Sequence, residues 1–206
     1  MFAPTQWGEA ELVEKKSRFL GQVWRVESED EARAHIQATK KRYHDARHHC
    51  FCYRIDSTIM RYSDDGEPQG TAGQPMLHLF EQEEIVRVCC VVTRYFGGTL
   101  LGTGGLVRAY GHTAKLALEQ AGRSQRKLLS QLEITCSYPH FESVQKTILA
   151  HGGIMDTTDY GVEIVLQIRL EHQVELFLAD LSEVTAGSAK ATPLGEIEDW
   201  VALSLF

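Results

Sequence analysis

The chain has 206 residues, of which 43% are hydrophobic and 24% are charged, and its net charge is −7. This length and composition predict two globular domains and exclude a long disordered or low-complexity segment. No run approaches the roughly 18 uncharged apolar residues that a membrane span needs, and the first residues lack the basic and apolar regions of a secretory signal. We therefore expect a cytoplasmic protein without a membrane partner.

The charge is distributed unevenly along the chain. Residues 1–127 carry 18 basic and 16 acidic side chains, a net charge of +2, whereas residues 128–206 carry 3 and 12, a net charge of −9. An acidic segment of this kind repels nucleic acid, so any phosphate-binding face is expected in the first part of the chain.

The first part is predicted to contain both strands and helices. A capping box at Ser28, with Glu31 three residues later, predicts that a helix begins there. The run from Val86 to Phe96 is apolar and β-branched, which is typical of a central strand. The other predicted elements are strands at 11–14, 19–26, 48–55 and 58–62, a loop at 63–75, a short helix from 75 to 80, and a helix at 106–121 that Gly122 caps.

The second part is predicted to have the order β-α-β-β-α-β, which is that of a ferredoxin-like domain. Its predicted strands lie at 132–138, 154–158, 162–170 and 189–194, and its helices at 141–150 and 172–184. The basic stretch Arg123 to Lys127 is interpreted as a linker. The predicted fold class is therefore α+β, with domains at residues 1–127 and 128–206.

A glycine-rich segment joins the predicted central strand to the following helix. It contains no lysine and matches neither the Walker A nor the GxGxxG pattern. Its bare N–H groups at a helix start suit an anion, but glycine at positive φ in a tight turn explains the same residues, and both interpretations stay open. Replacement of Gly104 with valine is expected to harm the first domain under either interpretation, by strain if φ is positive there. The five glycines are Gly97, Gly98, Gly102, Gly104 and Gly105.

The stretch from Asp45 to Cys50 opens a strand. Because side chains alternate along a strand, His48, Cys50 and Cys52 share one face and His49 lies on the other. Such ligands lie about 7 Å apart, too far to share one zinc ion, so no metal and no cofactor are expected. A nucleophilic Cys50 would need a base beside it, and His49 projects away. The five cysteines are interpreted as reduced structural thiols.

The loop that starts at Ser63 places three carboxylates within four positions, at Asp64, Asp65 and Glu67. They suit either an Mg²⁺ site for a phosphate ligand or general acid–base chemistry. The favoured interpretation is a turn in which the aspartates accept hydrogen bonds from backbone N–H groups.

Several of these stretches together resemble the Impact family, in its bacterial branch. The similarity covers residues 10–120 strongly, and it is carried by Lys16 to Phe19, Asp45 to Cys50, Ser63 to Pro68, Gly70 to Gly73 with Pro75-Met76, and Arg94 to Tyr110. The resemblance implies a first domain like the second domain of ribosomal protein S5 and a ferredoxin-like second domain like those of elongation factor G. It also implies a link to translational control, which the shared domain has in eukaryotic relatives, but it implies no catalytic residues.

Two functional hypotheses follow. The first is a non-catalytic protein that binds RNA or ribosome-associated factors, in which cations, an aromatic ring and backbone donors contact the nucleic acid. The alternative is a site for a phosphate group or a nucleotide, with hydrolase or transferase activity, in which the glycine segment holds the phosphate and Asp64, Asp65 or Glu67 of the acidic loop acts as base or Mg²⁺ ligand. The candidate binding residues outside that loop are Arg47, His48, His49, Arg94, Tyr95 and the five glycines.

Overall fold

A computed structural model of the protein describes residues 1–203, and these residues divide into two compact units. The first unit comprises Met1–Gln125 together with residues 200–203, and the second comprises Arg126–Asp199. The boundary after Lys127 stays a prediction from the sequence. The last three residues of the predicted second domain lie outside the described range.

The chain contains both strands and helices throughout. The strands are β1 (Phe2–Pro4), β2 (Gly8–Glu14), β3 (Ser17–Arg25), β4 (His48–Arg54), β5 (Met60–Ser63), β6 (Val88–Tyr95), β7 (Arg123–Cys136), β8 (Ile154–Tyr160), β9 (Ile164–Leu170) and β10 (Lys190–Ala202). The α-helices are α1 (Glu29–Arg42), α2 (Gly73–Gln82), α3 (Thr103–Ala121), α4 (Phe141–Ala150) and α5 (Val174–Val184). Within residues 1–203, none of these helices combines the length and apolarity that a membrane span needs.

The first unit is built on an antiparallel sheet with the strand order β2-β3-β6-β4-β5. Its central strand β6 is buried along almost its whole length, as its apolar run predicts. Helices α2 and α3 cover one face, where Phe19, Met76 and Tyr110 form part of the core. Helix α1 covers the other face, where Ile36 packs with Val91.

Helix α1 begins at the predicted capping box. The Ser28 hydroxyl accepts a hydrogen bond from the N–H of Glu31 at 3.2 Å. The Glu31 carboxylate in turn accepts from the N–H of Glu27 at 2.8 Å. One N–H group of the first turn and one N–H group just before the helix are thus satisfied by short-range contacts, which explains why the sequence alone locates this end.

The second unit has the predicted order β-α-β-β-α-β. Strand β7 pairs with β9, β9 pairs with β8, and β10 pairs with β7, which is the strand arrangement of a ferredoxin-like sheet. Helices α4 and α5 pack on the sheet through Ile148 and Phe177, beside Ile134 and Leu166. The predicted two-domain α+β fold is therefore confirmed.

Three local predictions are wrong. Arg123 to Lys127 is not a linker, because these residues begin strand β7 and the first three pair with β1. The last strand does not end at Leu194 but continues to Ala202. Helix α3 begins at Thr103, three residues before the predicted start, so part of the glycine segment is helical.

Candidate functional site

The end of strand β6 positions Arg94. In the sheet, Arg94 pairs with Phe19 on β3 and with His48 on β4. Arg94 is one residue from the end of β6, so the chain passes almost directly from it into the glycine segment. The strand register therefore brings a cation, an imidazole and an aromatic ring to one end of the sheet.

Arg94 forms a buried ion pair with Glu67, which lies in the loop between β5 and α2. The Arg94 Nη1 donates to Glu67 Oε1 at 2.6 Å, and the two side chains are only 6% and 4% exposed. The Tyr110 hydroxyl, on α3, donates to the same carboxylate oxygen at 2.9 Å. Because an unpaired charge at this depth costs about 3–5 kcal/mol, each charge depends on the other.

Other contacts hold the Arg94 guanidinium in place. Its Nη2 donates to Ser17 Oγ at 3.3 Å, and the same hydroxyl accepts from the N–H of Gly97 at 3.1 Å. The guanidinium carbon lies 5.3 Å from the centre of the Phe19 ring and 5.5 Å from that of Phe96, within the range of cation–π attraction. The buried Nε has no acceptor among residues 1–203.

The Asp64 carboxylate holds the acidic loop in shape through backbone contacts. Its Oδ2 accepts from the N–H of Gly70 at 2.8 Å, and its Oδ1 accepts from the N–H groups of Ala72 at 3.0 Å and Gly73 at 2.9 Å. The last of these groups begins helix α2. The carboxylate therefore caps the start of α2.

The Asp65 carboxylate also has hydrogen-bond donors within the fold. Its carboxylate accepts from the N–H of His49 at 2.7 Å and from the Lys40 ammonium at 2.9 Å. Burial alone would raise the pKa of Asp65, but these two donors outweigh burial and lower it below the usual range. Both aspartates thus have partners within the fold, and only Glu67 of the three carboxylates borders the cavity described below.

The glycines of the segment serve different purposes. Gly97 packs so closely on the backbone at Lys16 that a Cβ would overlap the Lys16 carbonyl group. Gly98 and Gly102 have positive φ values of 83° and 75°, which favour glycine. Gly104 is not among the glycines with positive φ, and it lies with its neighbour Gly105 in the first turn of α3, so strain from positive φ does not arise there.

The start of α3 carries free hydrogen-bond donors. Gly102 precedes the helix, no side chain caps it, and its first turn contains no acidic residue. Leu106 is the first residue whose N–H bonds within the helix, to Gly102. The N–H groups of Thr103, Gly104 and Gly105 therefore have no acceptor in the described part of the chain. Such groups, together with the helix dipole, form a favourable environment for an anion.

A cavity of about 390 Å³ lies between these elements. Polar and apolar side chains share its wall. The polar ones are Arg47, His48, Glu67, Arg94 and Thr103, and the apolar ones are Pro68, Phe96, Leu100, Leu101 and Leu106, with Gly102 completing the lining. The three motifs singled out in the sequence thus meet at one cavity.

Two side chains at the cavity are unusual for their exposure. Leu100 is 82% exposed and Phe96 is 46% exposed, so apolar surface faces solvent beside the charged groups. Arg47 is also exposed and forms no ion pair with any residue in the range 1–203. The cavity therefore offers a free cation and an aromatic ring to a ligand.

The tautomer of His48 follows from its partner. Its Nδ1 lies 2.8 Å from the backbone carbonyl oxygen of Asp65. A carbonyl oxygen only accepts hydrogen bonds, so Nδ1 carries the proton. In the neutral ring, Nε2 is then a hydrogen-bond acceptor. His48 itself belongs to the cavity lining.

Not all the residues singled out in the sequence reach the cavity. His49 is buried behind the sheet, where its Nε2 lies 3.0 Å from the carbonyl oxygen of Tyr43. The Tyr95 hydroxyl donates to Asp45 at 2.8 Å, and the Arg18 guanidinium lies over the Tyr95 ring. Of the candidate binding residues outside the acidic loop, those that line the cavity are Arg47, His48, Arg94 and Gly102.

Sequence reasoning missed several residues of the site. Ser17 and Tyr110 hold the ion pair, and both were overlooked because they belong to a strand start and a helix stripe. Thr103 was missed because the predicted helix began later. The exposed Leu100 was the available signal, since an apolar residue between glycines is unusual in a loop that only has to turn.

Cys50 lies beside this network as a thiol. Its Sγ–H donates to the carbonyl oxygen of Asp64 at 3.0 Å. Burial raises the pKa of Cys50 far above its ordinary value, so the nucleophilic thiolate is disfavoured. In residues 1–203 no three His, Cys, Asp or Glu side chains are grouped as metal ligands would be.

Comparison with known proteins shows the family of this chain. The family model for the Impact N-terminal domain matches residues 15–118, and a domain of unknown function, DUF1949, matches residues 134–188. The chain belongs to the Impact family. The family member YvyE of Bacillus subtilis is 35% identical, over 91% of this chain and 88% of that protein. YigZ of Escherichia coli is 34% identical, over 88% and 92%.

A solved structure agrees with this assignment to the Impact family. The crystal structure of a hypothetical protein is 32% identical to this chain, with a TM-score of 0.58. The match covers 92% of this chain and 95% of that one. The similarity therefore includes both domains.

The different roles of the glycines predict opposite effects of alanine. We expect Gly97→Ala to lower the free energy of unfolding by about 3 kcal/mol, because its Cβ meets backbone atoms that cannot move aside. Gly104→Ala is expected to change it by about 0 to +1 kcal/mol, because the helix tolerates alanine and only the flexible Arg108 side chain is near. Urea unfolding of both variants tests this, and equal losses would contradict the assigned geometry.

The buried ion pair predicts strong coupling between its two members. Arg94→Met leaves the Glu67 carboxylate buried without its partner, so we expect a loss of about 3–5 kcal/mol of stability. The double variant with Glu67→Met removes both charges, and its loss is expected to be at least about 2 kcal/mol smaller than the sum of the single losses. Urea unfolding of the four proteins measures this coupling. Additive losses would show that the pair does not hold the site together.

Proposed function

We propose that the protein binds RNA without catalysing a reaction on it, and that one nucleotide of a single strand occupies the cavity at the start of α3. The observation that carries the proposal is the composition of this cavity. It combines free backbone donors, an unpaired cation and exposed aromatic surface in one place. These are the three kinds of group that proteins use on single-stranded RNA.

The start of α3 and Arg47 are proposed to bind a phosphate group. The free N–H groups of Thr103, Gly104 and Gly105 point out of the helix start, where the dipole favours negative charge. Arg47 adds a guanidinium that has no competing carboxylate among the described residues. Phosphate contacts of this kind supply most of the affinity of RNA-binding proteins, but no sequence preference.

The apolar part of the cavity is proposed to bind a base. Phe96 offers a partly exposed ring, and Leu100 extends this surface toward solvent. Stacking of a base on an aromatic side chain contributes about 1–3 kcal/mol. This contribution offsets the cost of exposing these side chains in the free protein, which explains why apolar residues occupy a solvent-facing loop.

His48 favours RNA over DNA. Its Nδ1–H is committed to the Asp65 carbonyl oxygen, so its Nε2 is an acceptor in the neutral ring. The ribose 2′-hydroxyl is a donor that deoxyribose lacks, and it is the group through which proteins distinguish the two nucleic acids. An acceptor in the cavity lining suits this hydroxyl.

The proposed cellular partners are RNA or ribosome-associated factors. Support comes from family membership, because the shared Impact domain of eukaryotic relatives is expected to act in translational control. A role in translational regulation is therefore the proposed context for RNA binding. Any contribution of the acidic second domain would be through proteins rather than nucleic acid, because its net charge repels phosphate.

A free phosphorylated small molecule is the second candidate ligand. The cavity volume of about 390 Å³ is typical of small-molecule sites, and this observation favours it. A hydrolytic or transferring version would need a free carboxylate as base or Mg²⁺ ligand. Asp64 and Asp65 are bound to backbone N–H groups and Lys40, and the Glu67 carboxylate is neutralised by its ion pair with Arg94, so the proposal is one of binding alone.

The proposal predicts salt-sensitive RNA binding that depends on Arg47. We expect a fluorescently labelled 12-nucleotide RNA to bind the intact protein, with an affinity that falls steeply between low and physiological salt because phosphate contacts release counterions. Arg47→Ala should weaken binding by about five-fold at low salt. It should also reduce the slope of log affinity against log salt concentration by about one, because one phosphate contact is lost. Fluorescence anisotropy measures both quantities.

The matched control is Arg33→Ala. Arg33 is an exposed arginine on α1, which covers the other face of the sheet, so its loss should leave the affinity unchanged. Equal effects of the two substitutions would contradict the assigned site. Saturable, salt-independent binding of a free nucleotide without RNA binding would favour the small-ligand candidate instead.

A further inference from the structure

The Glu67 carboxylate has one oxygen without a partner at the cavity. Its Oε1 accepts both from Arg94 and from Tyr110, whereas Oε2 accepts no hydrogen bond from any residue in the range 1–203. The side chain is only 4% exposed, and it lines the cavity. An acceptor oxygen that no donor of the described residues satisfies suits a ligand that supplies N–H or O–H groups.

The same cavity also has a region that suits an anion, at Arg47 and the free N–H groups of α3. A phosphate beside Glu67 Oε2 would be repelled, whereas a neutral donor there is attracted. The bound molecule therefore has two chemically different parts. One part is anionic, and the other is a neutral group that carries hydrogen-bond donors and fits an apolar wall.

Among the standard nucleotides, those of guanine match this pattern best. The Watson–Crick edge of guanine places two donors, N1–H and the N2 amino group, side by side. The amino groups of adenine and cytosine each stand next to a ring nitrogen that is an acceptor, and N3–H of uracil stands between two carbonyl oxygens. A carboxylate oxygen with two free lone pairs therefore meets two donors only from guanine.

We propose that the cavity selects a guanine nucleotide, with Glu67 as the residue that determines the base. The guanine ring lies against the apolar wall formed by Phe96 and its neighbours, and N1–H and the N2 amino group donate to Glu67 Oε2. The phosphate binds at Arg47 and the start of α3. This inference rests on the proposed function, and it adds a base preference that phosphate contacts and stacking do not supply.

The test compares RNA strands that differ at one position. A ten-nucleotide uridine strand carries guanosine, inosine or adenosine at its centre, and its affinity for the intact wild-type protein is measured by fluorescence anisotropy. Inosine is the matched control because it lacks only the N2 amino group. Hydrogen bonds to charged groups are the stronger ones, so we expect the guanosine strand to bind about ten-fold more tightly than either of the others.

The possible outcomes test the base preference and RNA binding separately. Equal binding of the three strands overturns the base preference and leaves RNA binding intact. Absence of binding by every strand, including guanosine, overturns the proposed function and this inference together. A preference for adenosine over guanosine would show that the wall does not present an unpartnered carboxylate to the base.

A variant places the preference on Glu67. Glu67→Gln replaces one carboxylate oxygen with an amide NH₂ group, so the ratio between the guanosine and inosine strands is expected to fall from about ten-fold to near one. Arg47→Ala is the control, since it should weaken both strands equally and keep the ratio. A folded Glu67→Gln protein with an unchanged ratio would overturn the role of Glu67, and the wild-type comparison stands if that variant does not fold.

Discussion

The buried ion pair between Arg94 and Glu67 is the constraint on which the first domain's loops depend. Arg94 belongs to the central strand, Glu67 to the acidic loop, and Tyr110, which donates to the same carboxylate, to helix α3. Since neither charge is tolerated alone at this depth, the three elements are fixed relative to one another. The cavity is shaped by this arrangement, because the pair forms part of its wall and the start of α3 forms another part.

In this arrangement, some polar groups of the loops stabilise the fold and others are free to bind a ligand. Two carboxylates whose spacing suits Mg²⁺ or proton transfer stabilise the fold instead, since Asp64 caps α2 and Asp65 binds Lys40. The groups left for a ligand are the free N–H groups of α3, the Arg47 guanidinium, His48 Nε2 and one oxygen of Glu67. This set contains both donors and acceptors beside an apolar wall. It suits recognition of a nucleotide better than it suits catalysis.

Local signals predicted most of the fold. The Ser28 capping box, the apolar run of β6 and the β-α-β-β-α-β pattern each depend on residues close together in the sequence, and each is confirmed. Errors occurred where a strand lacks an apolar signal. The start of β7 is basic, so the sequence predicted a linker there. The exposed edge strand β10 contains Pro193 and Gly195, so the sequence predicted that this strand ends too early. Gly104 and Gly105 concealed the true start of α3 because glycine is a poor helix former.

The site was only partly predictable, for a different reason. The motifs that hold Arg47, Glu67 and the glycine segment are visible in the sequence, but the contact between Arg94 and Glu67 spans 27 residues and requires the sheet register. No local pattern reports that Oε1 is occupied and Oε2 is free. A pattern of residue types also cannot show that His49 is buried behind the sheet while His48 reaches the cavity.

The most direct test of the account is a ¹H–¹⁵N NMR titration of the intact protein with a short single-stranded RNA. If the nucleotide binds where we propose, the largest amide shifts occur at Thr103, Gly104, Gly105 and His48, while residues of the second domain keep their positions. Shifts confined to residues 130–199, or none at the start of α3, would contradict the central claim that this cavity is the RNA-binding site.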